Sequence, residues 1–558
     1  MQFRRAACVA VIAKCLRKKR VETMRTEEKR ILILGGGFGG VYTARHLEKL
    51  LKPNEAALSL VNRENYWVYQ PMIPEVISGG IGLTNVVAPI RQLCARTELV
   101  MREVENIDLK KKIVTVSPGF RPRKMELSYD YLVIALGSTT KFTGMPGMLE
   151  HARPFRNLAD AMALRNHVIN VLEEAEVEPD AEIRRKLMTF VVAGGGFSGV
   201  EVIAELNDFV HEVKRRFPRL RSEKHRSLLV HAGDRILPEM AADLAEFAHQ
   251  LLHNRGVEIL LNDRLAAATS EKAIFGSKME VPTKTVISTV PAQIPPVLQK
   301  LDCKYDKGRL LVDGNLELAG YEGEVWALGD CASITTKSGH AVPPTAQHAI
   351  REATTVAHNV AATIREGTKS EFAFEGLGKM GSLGHYSAVA EIFGIRLSGF
   401  PAWCVWRTIY LMKMPTLNRK VRIFLDWFLS AVFPPDLVEV RTLLDRGICK
   451  QHFEAGDVVF YQGDVGDCVY IIESGECEVL QEKNGVQTVL AVLGSGDSFG
   501  EMAVLLDVSR DATIRCRTRM NVLLVSKNDF DLLKTSVPAF GQVFSDIAMQ
   551  RSAMKSSA

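Results

Sequence analysis

The sequence predicts an α/β chain: two doubly wound parallel-sheet units, one inserted into the other, then interfacial amphipathic helices, then an all-β jelly-roll barrel with short helices. Three observations carry this. An apolar run, a glycine-rich turn and a helix-patterned stretch occur in that order from Arg30 and again from Phe190. Between Ile395 and Pro435, Trp and Phe residues are interleaved with Arg and Lys. Beyond Pro435 the chain turns to short alternating segments closed by glycines. With 558 residues, 47% of them apolar and 24% charged, the composition is that of a multi-domain globular protein, which excludes a disordered or collagen-like chain.

The first unit opens with Arg30-Ile-Leu-Ile-Leu-Gly35-Gly-Gly37-Phe38-Gly39-Gly40, then VYTARHLEKLL. Four consecutive apolar residues predict a strand buried on both faces, and the spacing after Gly40 predicts a helix. Gly35 makes the tight turn, Gly37 lets backbone approach a pyrophosphate, and Gly40 lets helix pack closely on strand. The helix N-terminus then presents its N–H groups to phosphate. Phe190-Val-Val-Ala-Gly194-Gly-Gly196-Phe-Ser-Gly199-Val-Glu201 repeats the arrangement. Two such loops predict two Rossmann-like dinucleotide-binding domains. FAD in one and NADH or NADPH in the other is the pairing in which a hydride passes from nicotinamide to flavin. Tyr131-Leu-Val-Ile-Ala135-Leu-Gly137-Ser138 reads as the strand and turn by which the chain leaves the FAD domain. Glu324-Val-Trp-Ala-Leu-Gly329-Asp330 reads as the return, with Asp330 on the ribityl chain.

Together with VNRENYWVYQPMIPEV (61–76), HAGDRILPEM (231–240), WALGDCA, PPTAQHAI (343–350) and GSLGHYSAVAEIFGIRLSGFPAWCVWRTIYL (381–411), these runs resemble the type II NADH:quinone oxidoreductases over residues 28–435. Those are single-subunit, non-proton-pumping flavoproteins with two dinucleotide-binding domains. The resemblance implies an FAD-binding domain at 28–150 and 315–394 and an NAD(P)H-binding domain at 151–314. It implies that Gly35, Gly37, Phe38, Gly39 and Gly40 cradle the FAD pyrophosphate, with Asn62 and Arg63 toward its ribose and Ala135 and Gly137 at the exit turn. Gly194, Gly196 and Gly199 hold the NAD(P)H pyrophosphate, with His231 toward its ribose. Glu201, Gln347 and Arg351 stand where nicotinamide, flavin and quinone meet, and no metal is required. It further implies a respiratory-chain enzyme bound peripherally to the cytoplasmic face of the inner (plasma) membrane, with quinone as partner and a homodimer as an open assembly.

Five positions depart from the pattern. Asn62 replaces the usual ribose-binding carboxylate, and an amide still hydrogen-bonds a hydroxyl. His231 replaces the carboxylate that repels a 2′-phosphate, so NADPH competes with NADH. The nicotinamide-side Ala-Gly turn becomes Val290-Pro291, and the second Gln of the quinone-side motif becomes Arg351. Val290-Pro291 and His231 motivate an alternative: a regulatory flavoprotein with a decayed nicotinamide site, sensing redox state or cyclic nucleotide.

In the segment 395–435, Trp403, Trp406 and Trp427 lie among apolar residues and the bases Arg407, Lys413, Arg419, Lys420 and Arg422. Rings at headgroup level and cations against anionic lipid predict an in-plane membrane-surface anchor. From 438 to 550, glycine turns at Gly456, Gly463, Gly475 and Gly496 punctuate short strands, and the run Phe499-Gly500-Glu501-Met502-Ala503 to Arg510-Asp511-Ala512-Thr513 resembles the phosphate cassette of cyclic-nucleotide-binding domains. The resemblance puts Glu501 on a ribose 2′-hydroxyl and Arg510 on the cyclic phosphate of cAMP or cGMP, while Asp511 opposes phosphate unless it turns to solvent. The cassette is expected to meet the membrane segment just before Pro434. Ten cysteines without C-x-x-C or C-x4-C spacing argue against a disulfide framework, a zinc site or a redox pair serving a sulfide donor. Positive charge gathers in residues 1–30 and 395–422, which excludes a general nucleic-acid binder. The tail 1–27 has a positive start and a short apolar run, but Lys14 interrupts that run and no small-residue cleavage pattern follows, so it reads as a frayed basic tail or a start placed upstream of a true one at Met24.

Overall fold

The computed structural model describes residues 28–118, 125–140, 142, 145–289, 292–336, 339–439, 449–466, 468–483, 486–506, 508–527, 529–530 and 533. The basic tail and the Val290-Pro291 turn lie outside the described residues.

The apolar run Lys29–Leu34 is buried from Ile31 onward, as a strand covered on both faces must be. It is the middle strand of a five-stranded sheet ordered Glu98–Met101, Ala56–Asn62, Lys29–Leu34, Tyr131–Ile134, Val325–Ala327, parallel throughout. Val325 pairs with Leu132, so the late return expected from the Gly329-Asp330 run completes the first sheet. Between departure and return, a second parallel sheet forms in the order Ala152–Pro154, Thr285–Ser288, Thr189–Ala193, Arg226–Val230, Val257–Leu260. The helix Leu158–Val177 that leads into it starts at a reciprocal cap: Asp160 N–H donates to Asn157 Oδ1 at 2.9 Å, and Asn157 N–H donates to Asp160 Oδ2 at 3.1 Å.

Strands Gly378–Ser382, Ala388–Ile392 and Ile395–Ser398 make an antiparallel sheet, from which helices Gly399–Lys413 and Leu417–Val432 follow. The second helix turns Ile423 and Trp427 inward and leaves Leu417, Val421, Phe424, Leu425, Phe428, Leu429 and Val432 exposed. That spacing is a continuous apolar stripe facing away from the core. The tryptophans are corrected by the structure. Trp406 and Trp427 are buried against the main core, and the exposed rings of this segment are Phe400, Phe424, Phe428 and Phe433. Among the described residues no helix is long and apolar enough to cross a membrane.

The C-terminal unit is a jelly roll of two four-stranded antiparallel sheets closed over Phe453, Tyr470, Phe499, Ile514 and Met520. Its junction also differs from expectation. The strand Cys449–Phe453 packs on the inserted parallel-sheet unit: His452 N–H donates to His151 Nε2 at 3.0 Å, and Lys272 pairs with Asp457 at 3.2 Å.

Candidate active site

Both glycine loops turn at a residue in the left-handed region, Gly35 at φ 106° and Gly194 at φ 118°. The third glycine of each loop packs on the first. A Cβ at Gly40 would stand 1.8 Å from the Gly35 carbonyl oxygen, and one at Gly199 1.7 Å from that of Gly194. Helices Phe38–Leu50 and Phe197–Val213 therefore begin directly over their loops. Their N-caps, Gly37 and Gly196, offer no side-chain cap, and their first turns carry no acid. No described atom lies within 4 Å of a Cβ built on Gly37, and only Glu239 Oε1, at 3.7 Å, approaches one on Gly196. Uncapped N–H groups and positive dipole ends pointing into open space suit pyrophosphate, so both cradles fit a dinucleotide.

The residue closing the second strand braces the loop in each unit. Gly36 N–H donates to Asn62 Oδ1 at 2.9 Å, and Gly195 N–H donates to His231 Nδ1 at 3.1 Å. Accepting through Nδ1 leaves the neutral ring's proton on Nε2. The Asn62 amide also donates to the Glu64 backbone carbonyl at 2.9 Å, which brings the half-buried Glu64 carboxylate beside the loop. Arg63, exposed, pairs with Glu103 at 3.8 Å.

On the other side of the first loop, Gly137 (φ 66°) and Gly329 (φ 73°) make the exit and return turns. Ser138 Oγ donates to Asp330 Oδ2 at 2.8 Å and accepts from Arg156 Nη1 at 2.8 Å. Gly329 N–H donates to Glu352 Oε2 at 2.7 Å, and burial pushes the Glu352 carboxyl up to about 7. Arg156 and Glu352 escape sequence reasoning, because neither belongs to the turn it holds. Cys331 is buried, its thiol pushed up to about 12 by burial, and so lacks the thiolate character of a reactive cysteine.

Gln347 places both ends of its amide on backbone, donating to Gly378 O at 3.1 Å and accepting from Leu377 N–H at 3.2 Å. It thereby fastens the antiparallel sheet to the helix Ala346–Ile364. Arg351 lies over the Phe374 ring at 4.4 Å. Beside them is a residue that the sequence reading passed over: His348 is buried, its Nδ1 2.7 Å from Thr345 Oγ and its Nε2 without a described partner. Glu201, one turn into the second loop's helix, accepts from Ser382 N–H at 3.1 Å, and burial pushes its carboxyl up to about 8.

In the barrel cassette, Arg510 is buried, donating to Gly500 O at 2.7 Å and Cys468 O at 2.9 Å beneath the Phe460 ring at 4.2 Å. Gly500 (φ 84°) leads into the short helix Glu501–Leu506, with Glu501 and Ala503 buried and Met502 half-buried. Asp511 is exposed, so its carboxylate does turn to solvent.

Residues 29–353, more than half of the chain, match the family described as pyridine nucleotide-disulphide oxidoreductase. The chain belongs to that family. Residues 377–435 match the NDH2 C-terminal domain and 450–535 the cyclic nucleotide-binding domain. Curated relatives of this family member include the type II NADH:quinone oxidoreductase of Mycobacterium tuberculosis, 29% identical over 414 residues (71% of this chain, 87% of that one). The demethylphylloquinone reductase of Synechocystis is 29% identical over 412 residues (72% and 96%). Among solved structures, NDH2 of Plasmodium falciparum in complex with NADH aligns with TM-score 0.68 at 19% identity, covering 74% of this chain and all of that one, a likeness of fold.

Gly37 has an ordinary φ of −80° and open surroundings, so a side chain there harms the ligand rather than the fold. Gly37→Val is expected to purify folded and colourless. Stoichiometric flavin in that variant, read by absorbance beside an unchanged circular dichroism spectrum, would remove the loop from FAD binding.

Proposed function

We propose that this chain oxidises NADH or NADPH and reduces a quinone through FAD, as a peripheral protein on the cytoplasmic face of the membrane, with the barrel as a cyclic-nucleotide-binding regulator. One observation carries the proposal. The Ser382 N–H on Glu201 joins the helix of the second nucleotide loop to the sheet from which the solvent-facing apolar helices spring. A nicotinamide side and a membrane side thus meet at one buried carboxyl.

FAD, held at Gly35–Gly40 and Asp330, supplies a two-electron relay between donor and acceptor. The protein's own part is orientation and dryness. Gly35 and Gly40 fix the first helix end, Ser138 and Arg156 fix Asp330, and Gln347 fixes the loop on the acceptor side. Arg351 offers guanidinium donors to a quinone carbonyl.

His231 occupies the Gly195 N–H at the ribose end of the donor site, where a carboxylate would discriminate against a 2′-phosphate. The same substitution favours the second reading, a sensor whose nicotinamide site has decayed. Steady-state oxidation of NADH and NADPH with a ubiquinone analogue in anionic vesicles separates the two: quinol formed from either donor supports the enzyme, and none from both supports the sensor. His231→Glu is expected to move the NADH/NADPH preference about tenfold toward NADH, the worth of one good hydrogen-bond pair. An unmoved ratio would take His231 away from the ribose.

The membrane face is the stripe led by Phe424 and Phe428, 58% and 61% exposed, flanked by Arg419, Lys420 and Arg422. Phe424→Glu with Phe428→Glu is expected to release the protein from anionic liposomes in sedimentation, each ring removing roughly 1.5–3 kcal/mol of burial. Full retention at low salt would assign binding elsewhere.

For the barrel, exposure of Asp511 lifts the objection to phosphate, while Arg510 must exchange its bonds to Gly500 and Cys468 for the ligand. Calorimetry with cAMP and cGMP is expected to give heat that Arg510→Ala abolishes. No heat from the wild-type protein would make the barrel a docking module.

A further inference from the structure

We infer that the barrel governs how tightly FAD is held, through the segment from Gly147 to Arg156, one end of which lies on the barrel while the other fastens the Asp330 turn. This deepens the regulatory part of the function proposed above and rests on it. The flavin end is Arg156, a positioning residue. Its Nη1 donates to Ser138 Oγ, and Ser138 Oγ to Asp330 Oδ2, each at 2.8 Å, while the Arg156 N–H donates to Asp160 Oδ2 at 2.8 Å. Its Nε is buried without a partner among the described residues, which leaves the guanidinium a donor for a second arrangement. The barrel end is His151. Its Nε2 lies 3.0 Å from His452 N and 2.9 Å from His452 O, so one tautomer accepts from the first and the other donates to the second. The turn that opens the segment, Gly147, is in the left-handed region at φ 65°. A Cβ there would overlap the Ala268 carbonyl oxygen and stand 2.9 Å from His452 Cδ2, so the turn is pressed between the inserted unit and the barrel.

Between the two ends runs Ala152–Pro154, the edge strand of the second parallel sheet, paired among the described residues with Thr285–Ser288 alone. An edge strand has one neighbour to slide against, and an extended chain rising about 3.3 Å per residue carries a push from His151 to Arg156 with little slack.

Within the barrel the contacts continue to the cassette. His452 is buried, with Nδ1 2.7 Å from Asn521 Oδ1 and Nε2 3.2 Å from Glu454 Oε1. Asn521 Nδ2 donates to Ser474 Oγ at 2.9 Å, and Ser474 ends the strand Cys468–Ser474. Arg510 donates to the Cys468 carbonyl at the other end of that strand. A cyclic phosphate that draws Arg510 to itself frees the strand at Cys468, and the change reaches His151 through Ser474, Asn521 and His452. From there the edge strand bears on Arg156, Ser138 and Asp330. Two ligands that favour different arrangements of one linked structure alter each other's affinity by the same factor. A cyclic nucleotide in the cassette and FAD at Asp330 are such a pair.

Serial dilution of full-length, FAD-loaded protein, with released flavin read by its fluorescence, gives the FAD dissociation constant without any turnover. Saturating cAMP or cGMP, whichever binds in calorimetry, is expected to change that constant about fivefold or more. His151→Ala and Asn521→Ala should each keep nucleotide affinity within about twofold, yet cut the response of FAD to less than about twofold. Circular dichroism checks the fold of both, and either one alone decides. His151→Gln, whose amide oxygen still accepts from His452 N–H, should recover part of the response. A nucleotide that binds and leaves FAD affinity unmoved, or a response that survives these substitutions, overturns the inference. If neither nucleotide binds the wild-type protein, the reading of the barrel as a nucleotide-binding regulator fails, and the nucleotide-free proteins decide the relay. Asn521→Ala changing FAD affinity about fivefold when His151 is present, and less than about twofold in His151→Ala, supports it. Any other pattern overturns it.

Discussion

The close approach of Gly40 to the Gly35 carbonyl, repeated by Gly199 on Gly194, is the constraint on which the rest of the molecule depends. A helix that starts within van der Waals contact of its own loop leaves its first N–H groups nowhere to point except outward from the strand ends. With no cap at Gly37 or Gly196, those groups and the helix dipoles converge on open space above each parallel sheet. The bracing of each loop by the residue at the end of the neighbouring strand, Asn62 in one unit and His231 in the other, shows one architecture used twice. It also shows that these two residues have a structural duty before any ligand arrives.

What the sequence disclosed and what it hid divide along the range of the interactions. Strand, loop and helix are local, so the two glycine runs located both sheets and the Gly329-Asp330 turn located the returning strand. The contacts that join the two glycine-loop units to residues 378–432 span the chain: Ser382 to Glu201 is 181 positions apart, and Arg407 to Glu75 is 332. Periodicity cannot reveal them. The tryptophans illustrate the limit. An amphipathic helix shows its stripe in sequence without showing which face finds a partner, and here the Glu75 carboxylate draws Trp427 inward, leaving phenylalanines to face solvent.

The barrel cassette is linked by paired strands to the unit inserted between the first sheet's strands. Cys449–Phe453 touches the inserted unit through His452 on His151, and Lys272 holds Asp457 from the same side. Coupling between cassette and flavin through these contacts would bias this junction, since a ligand shifts an equilibrium only through unequal affinity for two arrangements. Arg510, spanning the Gly500 and Cys468 carbonyls beneath Phe460, is the side chain whose movement would reach the strand Cys468–Ser474. That strand pairs with Met520–Ser526, which in turn pairs with Cys449–Phe453.

In the proposed function both glycine loops hold working nucleotides in one electron path. Anaerobic single-turnover mixing of the purified yellow protein with one equivalent of NADH, followed by one equivalent of quinone, tests it most directly through the flavin absorbance. Bleaching in the first step and full recovery in the second is the predicted result. Colour that persists through NADH, and equally through NADPH, would contradict the claim.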